Sequence, residues 1–141
     1  MHEVTFEEAL ELIQAKDPRY AVDAYAFVRD ALDHTQKSIG KEQRVRHVTG
    51  QELLAGIRDF GLSQFGPMTL TVLEEWGIRS CQDFGEIVFN MVEIGLLAKT
   101  EKDSRADFAE GYDFYEAFRK PFLPASKLAL TETASASSSG N

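Results

Sequence analysis

One cysteine, Cys81, stands alone in 141 residues, so no internal disulfide can form and no thiolate cluster can hold zinc. A lone thiol suits a reducing compartment, and the expected location is the cytoplasm. The histidines His2, His34 and His47 lack metal-ligand spacing, so no metal or cofactor is expected. No apolar run approaches the roughly 20 residues that a membrane-spanning helix needs. The first residues, MHEVTFEEALELIQ, have neither the basic start nor the apolar stretch of a signal peptide. A membrane is therefore not among the expected partners. Basic residues are the minority: 15 Lys and Arg face 23 Asp and Glu, a formal charge of −8. Such a balance repels nucleic acid in general. Phosphate loops, GxSxG elbows, HExxH helices and EF-hand spacings are all missing, and no motif argues for an enzyme.

Apolar material is plentiful. Hydrophobic residues make up 43% of the chain, with ten Phe, four Tyr and one Trp, enough for one domain with a core. Residues 1–123 read as a single, mostly helical domain. The Ser-, Thr- and Ala-rich stretch 124–141 reads as a disordered tail.

Capping boxes place two helix starts, at Thr5 with Glu8 and at Thr49 with Glu52. Behind the first, Phe6, Ala9, Leu10 and Ile13 follow helical periodicity. Asp17 and Pro18 suit the cap and first position of a second helix, whose buried stripe is Ala21, Ala24, Tyr25, Val28, Ala31 and Leu32. The third carries Leu53, Leu54, Ile57, Phe60 and Phe65, and the short fourth carries Leu70, Leu73 and Trp76. Gly56 and Gly61 inside the third helix suggest close helix contacts or a bend. Ser80 and Asp83 begin a fifth helix with Phe84, Ile87, Val88, Met91 and Val92 on its apolar face, and Trp76 is expected against Phe84 or Ile87. A short strand is expected around Val45 to Val48. Leu96 to Thr100 and Phe108 to Phe114 read as two strands across a polar turn. Mainly α with a small β-ribbon, this order predicts a helical N-terminal pair leading into a winged-helix-like domain.

Several blocks occur together: Asp17-Pro18-Arg19-Tyr20, His47 to Leu54, Phe65-Gly66, Trp76-Gly77-Ile78 and Asp83 to Phe89. Through them, roughly the first 120 residues of the chain resemble a family of small uncharacterised bacterial proteins. The resemblance implies no catalytic or binding residue.

The polar residues allow two functional expectations. The first is a non-enzymatic protein-interaction domain with an aromatic surface near Tyr112, Phe114 and Tyr115. The second is a nucleic-acid-associated factor using the basic connection 37–47, with Arg44, Arg46 and His47, together with wing cations Lys99, Lys102 and Arg105. The fifth helix argues against duplex DNA, because its polar positions are Gln82, Asp83, Glu86, Asn90 and Glu93. Another protein is thus the expected partner. Cys81 lacks a local base and reads as an ordinary, partly buried thiol. Because the tail offers no apolar anchor beyond Leu130, deleting residues 131–141 should leave the thermal midpoint unchanged within about 2 °C, as measured by calorimetry.

Overall fold

The computed structural model describes residues 5–40, 48–97, 106–109 and 111–123. Every regular element among them is helical. Helix α1, Phe6–Lys16, begins with the expected capping box: the Thr5 hydroxyl accepts from the Glu8 amide at 3.1 Å, and the Glu8 carboxylate accepts from the Thr5 amide at 3.0 Å. Helix α2 spans Val22–Gly40, and α3 spans Gly50–Phe65 behind the Thr49–Glu52 box. A 3-10 turn at Gly66–Met68 leads into α4, Thr69–Glu75, and α5 covers Cys81–Glu93. Two short helices come next, α6 at Ala106–Ala109 and α7 at Phe114–Phe118, before a last 3-10 turn at Lys120–Phe122.

The central contact is α2 against α3. It is close because Gly56 faces Thr35, and a side chain at position 56 would occupy the space of the Thr35 hydroxyl. That hydroxyl, buried, donates instead to the Ala31 carbonyl at 2.7 Å. Helix α5 packs across α2, with α1 alongside, while α6 and α7 close over α3. One contiguous core results, including Tyr25, Val28, Ile57, Phe84, Ile87, Met91 and Phe118. Each such side chain contributes about 1.5–3 kcal/mol through burial. No helix among the described residues is long and apolar enough to cross a membrane.

The β-ribbon wing is the main correction, for no strand occurs among the described residues. Leu96 and Leu97 end a helix instead of starting a strand. Gly95, at φ +88°, lets the chain turn so that the Leu96 amide reaches the Met91 carbonyl at 2.9 Å and the Gly95 amide reaches Val92 at 3.1 Å. Phe108, Tyr112 and Phe114 share one parity in sequence, which mimics a strand. Helical spacing wins: Phe114, Ala117 and Phe118 are buried at i, i+3 and i+4, and the Asp113 carboxylate caps α7 by accepting from the Glu116 amide at 3.1 Å. With every regular element among the described residues helical, the winged-helix-like arrangement with its β-ribbon is not what they form. Val48 is buried but in no strand. The expected strand residues 45–47 and 98–100, the turn after them, and the tail 124–141 lie outside the described residues.

The second helix also begins later than Asp17-Pro18 suggests. Asp17 is the C-cap of α1, donating its amide to the Ile13 carbonyl at 2.7 Å. Its carboxylate takes two bonds from the Arg19 guanidinium, at 2.8 and 2.7 Å, and one from the Asn90 amide at 2.9 Å. With its side chain so engaged, residues 18–20 form a turn and α2 starts at Val22. Trp76 is half-buried against Phe27 and Phe65, at centroid distances of 5.5 and 5.7 Å, and forms no ring pair with Phe84. Gly77 explains the shift. At φ +92° it turns the chain directly under the Arg19 carbonyl, and the Trp76 carbonyl accepts from the Ala21 amide at 3.1 Å, which places the indole on the α2 side.

The Arg19 bonds, reinforced by Asn90, hold the Asp17 carboxyl well below the usual carboxylate range. A carboxyl depressed in the folded state stabilises fully above its unfolded value of about 3.9, and the contribution is lost as pH falls from there toward the lower folded value. Asp17→Asn should therefore cost about 1.5–3 kcal/mol at pH 7. Denaturant titrations should show a smaller gap to wild type at about pH 3. An equal gap at both pH values would mean that the charge is not what stabilises the turn.

Candidate interaction site

Chemically, the richest cluster is where the α1–α2 turn meets α5. The Tyr20 hydroxyl donates to Asp83 at 2.6 Å, Arg19 reaches Glu86 at 3.2 Å, and Lys16 pairs with Glu93. Asn90, 7% exposed, donates both to Asp17 and, at 3.0 Å, to the Tyr25 hydroxyl. The other Asp83 oxygen accepts from the Arg79 and Ser80 amides at 2.8 and 3.2 Å, which ties down the entry to α5. Burial, together with the acceptor Asp83, pushes the Tyr20 hydroxyl up, and burial does the same for Tyr25. These groups hold their protons, and their bonds join the chain to itself. Three polar positions of α5, Asp83, Glu86 and Asn90, are thus bonded to the protein's own α1–α2 turn.

Of the residues expected to act, Tyr112 and Phe114 point inward. The Tyr112 hydroxyl donates to the Leu54 carbonyl at 2.8 Å, and burial raises it far above its ordinary value. Phe114 stacks against Phe84 and Phe118 at 5.6 and 5.1 Å. Tyr115 is 43% exposed. Arg44, Arg46, His47, Lys99, Lys102 and Arg105 lie outside the described residues. Lys37, the described start of the basic connection, pairs with Asp33 at 3.0 Å. His34 lies against Phe60 at 5.4 Å. No group of three or more His, Cys, Asp or Glu able to hold a metal occurs among the described residues.

Two apolar features remain open to solvent. The first is a set of exposed residues: Met68 precedes α4, Tyr115 lies on α7 and Phe122 on the final 3-10 turn, with 55%, 43% and 41% of their surfaces exposed. These elements adjoin, since α7 packs against α4 and the final turn packs on α7. Leu12 and Val22 are also exposed, on α1 and at the start of α2. The second feature is a cavity of about 160 Å³ between α2 and α5, lined by residues including Leu32, Leu53, Val88, Val92, Leu97 and Phe108. Of these, the sequence singles out Tyr115 as a surface aromatic, whereas Met68, Phe122 and the cavity go unnoticed. The only available signal for Met68 and Phe122 is that each comes directly after a proline, Pro67 or Pro121, in a tight turn. The cavity has no sequence signal, because its lining residues look like ordinary core positions.

No family model, curated protein or solved structure matches this chain.

Cys81 sits in the first turn of α5 but is buried, its thiol donating weakly to the Tyr112 carbonyl at 3.5 Å. Burial pushes the thiol up, against any activation by the helix terminus. An aromatic disulfide reagent at pH 8 should therefore label Cys81 slowly in the folded protein and rapidly in denaturant. Equal rates would show that the thiol is open to solvent.

Proposed function

We propose that this chain is a non-enzymatic domain that binds another protein, working in the bacterial cytoplasm. The observation that carries the reading is the group of exposed apolar side chains Met68, Tyr115 and Phe122 on adjoining elements. Exposed apolar residues scattered singly need no explanation, but a group of them, with two aromatic rings, resembles the anchors that dominate protein interfaces. Tyr115 suits this use because its ring brings a large contact area with little conformational freedom to lose. The engagement of Asp17, Tyr20, Asp83 and Asn90 in holding the fold supports the same reading, since these groups are bound to one another and not to an open site.

The test is a pull-down from native lysate with nuclease treatment, comparing wild type with Tyr115→Ser, Phe122→Ser. The expected result is a protein partner that survives nuclease and is lost in the double variant, whose thermal midpoint stays within a few degrees of wild type. Loss of the partner on nuclease treatment, or its full retention by the variant, would overturn the proposal.

A further inference from the structure

We infer that the cavity between α2 and α5 is a binding site for a small, neutral aromatic molecule of the indole or phenol class. This inference is independent of the proposed protein-binding end, which involves none of the residues that line the cavity.

Volume sets the first limit. An enclosed apolar cavity of roughly 150 Å³ binds benzene, and this one, at about 160 Å³ and open to solvent on one side, suits a ligand of about that size. Charge sets the second. The described lining residues include no ionised side chain, so none of them offers an ionised ligand a charge-paired contact in exchange for lost hydration. The third limit is shape. Phe89 and Phe108 meet edge to face, with centroids 6.3 Å apart and planes at 89°, and both line the cavity. A third ring can join such a corner with its own edge or face, a complementarity an aliphatic chain lacks.

The corner is also built before a ligand arrives. Phe108 is wedged beside two glycines: a side chain at Gly85 would come within 2.8 Å of its Cβ, and one at Gly50 within 3.3 Å of its ring. Beside it, the Asp107 carbonyl accepts from the Gln51 side-chain amide at 2.7 Å, fastening α6 to α3. A wall held from both sides needs little reorganisation on binding. Gln36 lines the cavity while remaining exposed, which puts an amide within reach of one polar ring substituent, such as an indole N–H or a phenol hydroxyl.

The experiment uses the full chain, ¹⁵N-labelled and titrated with indole, phenol, cyclohexanol and the anion indole-3-acetate. Indole and phenol should give saturable shifts confined to the cavity, with dissociation constants on the order of 0.1–1 mM for ligands of this size. Cyclohexanol and indole-3-acetate should bind at least about tenfold more weakly. Two filling variants, Val92→Phe and Leu32→Phe, should each weaken indole binding by about tenfold or more while keeping the wild-type circular dichroism spectrum. Two variants on different helices are used so that poor folding of one leaves the other informative. Absence of saturable shifts with millimolar indole, shifts that map elsewhere, or undiminished binding in a folded filling variant would each overturn the inference. Equal affinity for cyclohexanol would refute the aromatic preference, and equal affinity for indole-3-acetate would refute the neutral one.

Discussion

The bonds at the Asp17 carboxylate determine how α1 and the turn after it meet α5. One side chain accepts from Arg19 beside it and from Asn90 on α5, while its backbone closes α1. Tyr20 and Arg19 then extend the joint to Asp83 and Glu86. Without it, α1 would be a short amphipathic helix attached by a few apolar contacts, and helices of that length are marginal in water. The arrangement is also demanding, because Asn90 is buried and each lost partner would leave a polar group without water.

The joint gives a physical meaning to blocks scattered through the sequence. Asp17 to Tyr20, Trp76 to Ile78 and Asp83 to Phe89 are far apart in the chain. They meet through the Tyr20–Asp83 bond, the Arg19–Glu86 bond and the backbone bond from Ala21 to Trp76. The His47 to Leu54 block, from Gly50 onward, instead seats α6, with Gly50 beside Phe108 and Gln51 bound to the Asp107 carbonyl. These residues are accounted for by architecture, which is why they spell out no chemistry.

Local signals are legible where a single helix turn decides the outcome. Thr5 with Glu8 and Thr49 with Glu52 place two helix starts correctly, and the spacing from Phe84 to Met91 places α5. Legibility ends where a partner distant in sequence decides. Asp17 has the chemistry of a helix cap and would act as one, were Asn90 and Arg19 not competing for its oxygens. Phe108 to Phe114 has the alternation of a strand, yet the notch beside Gly50 and Gly85 takes Phe108, and the Asp113 cap commits Phe114–Phe118 to a helix. The aromatic residues expected at a surface divide for the same reason: Tyr112 finds the Leu54 carbonyl and Phe114 finds Phe84, which leaves Tyr115 outside.

The contact of Gly56 with Thr35 sets a single register between the two longest helices. A slide of one turn would bring Thr35 opposite Glu52 or Phe60, whose side chains would stand where Gly56 has only a hydrogen. Helix pairs that ratchet by a turn are a common source of conformational switching, and this pair is indexed against it, like a shaft held by a key. A change of shape on binding that respects this contact leaves the α2–α3 register where it is.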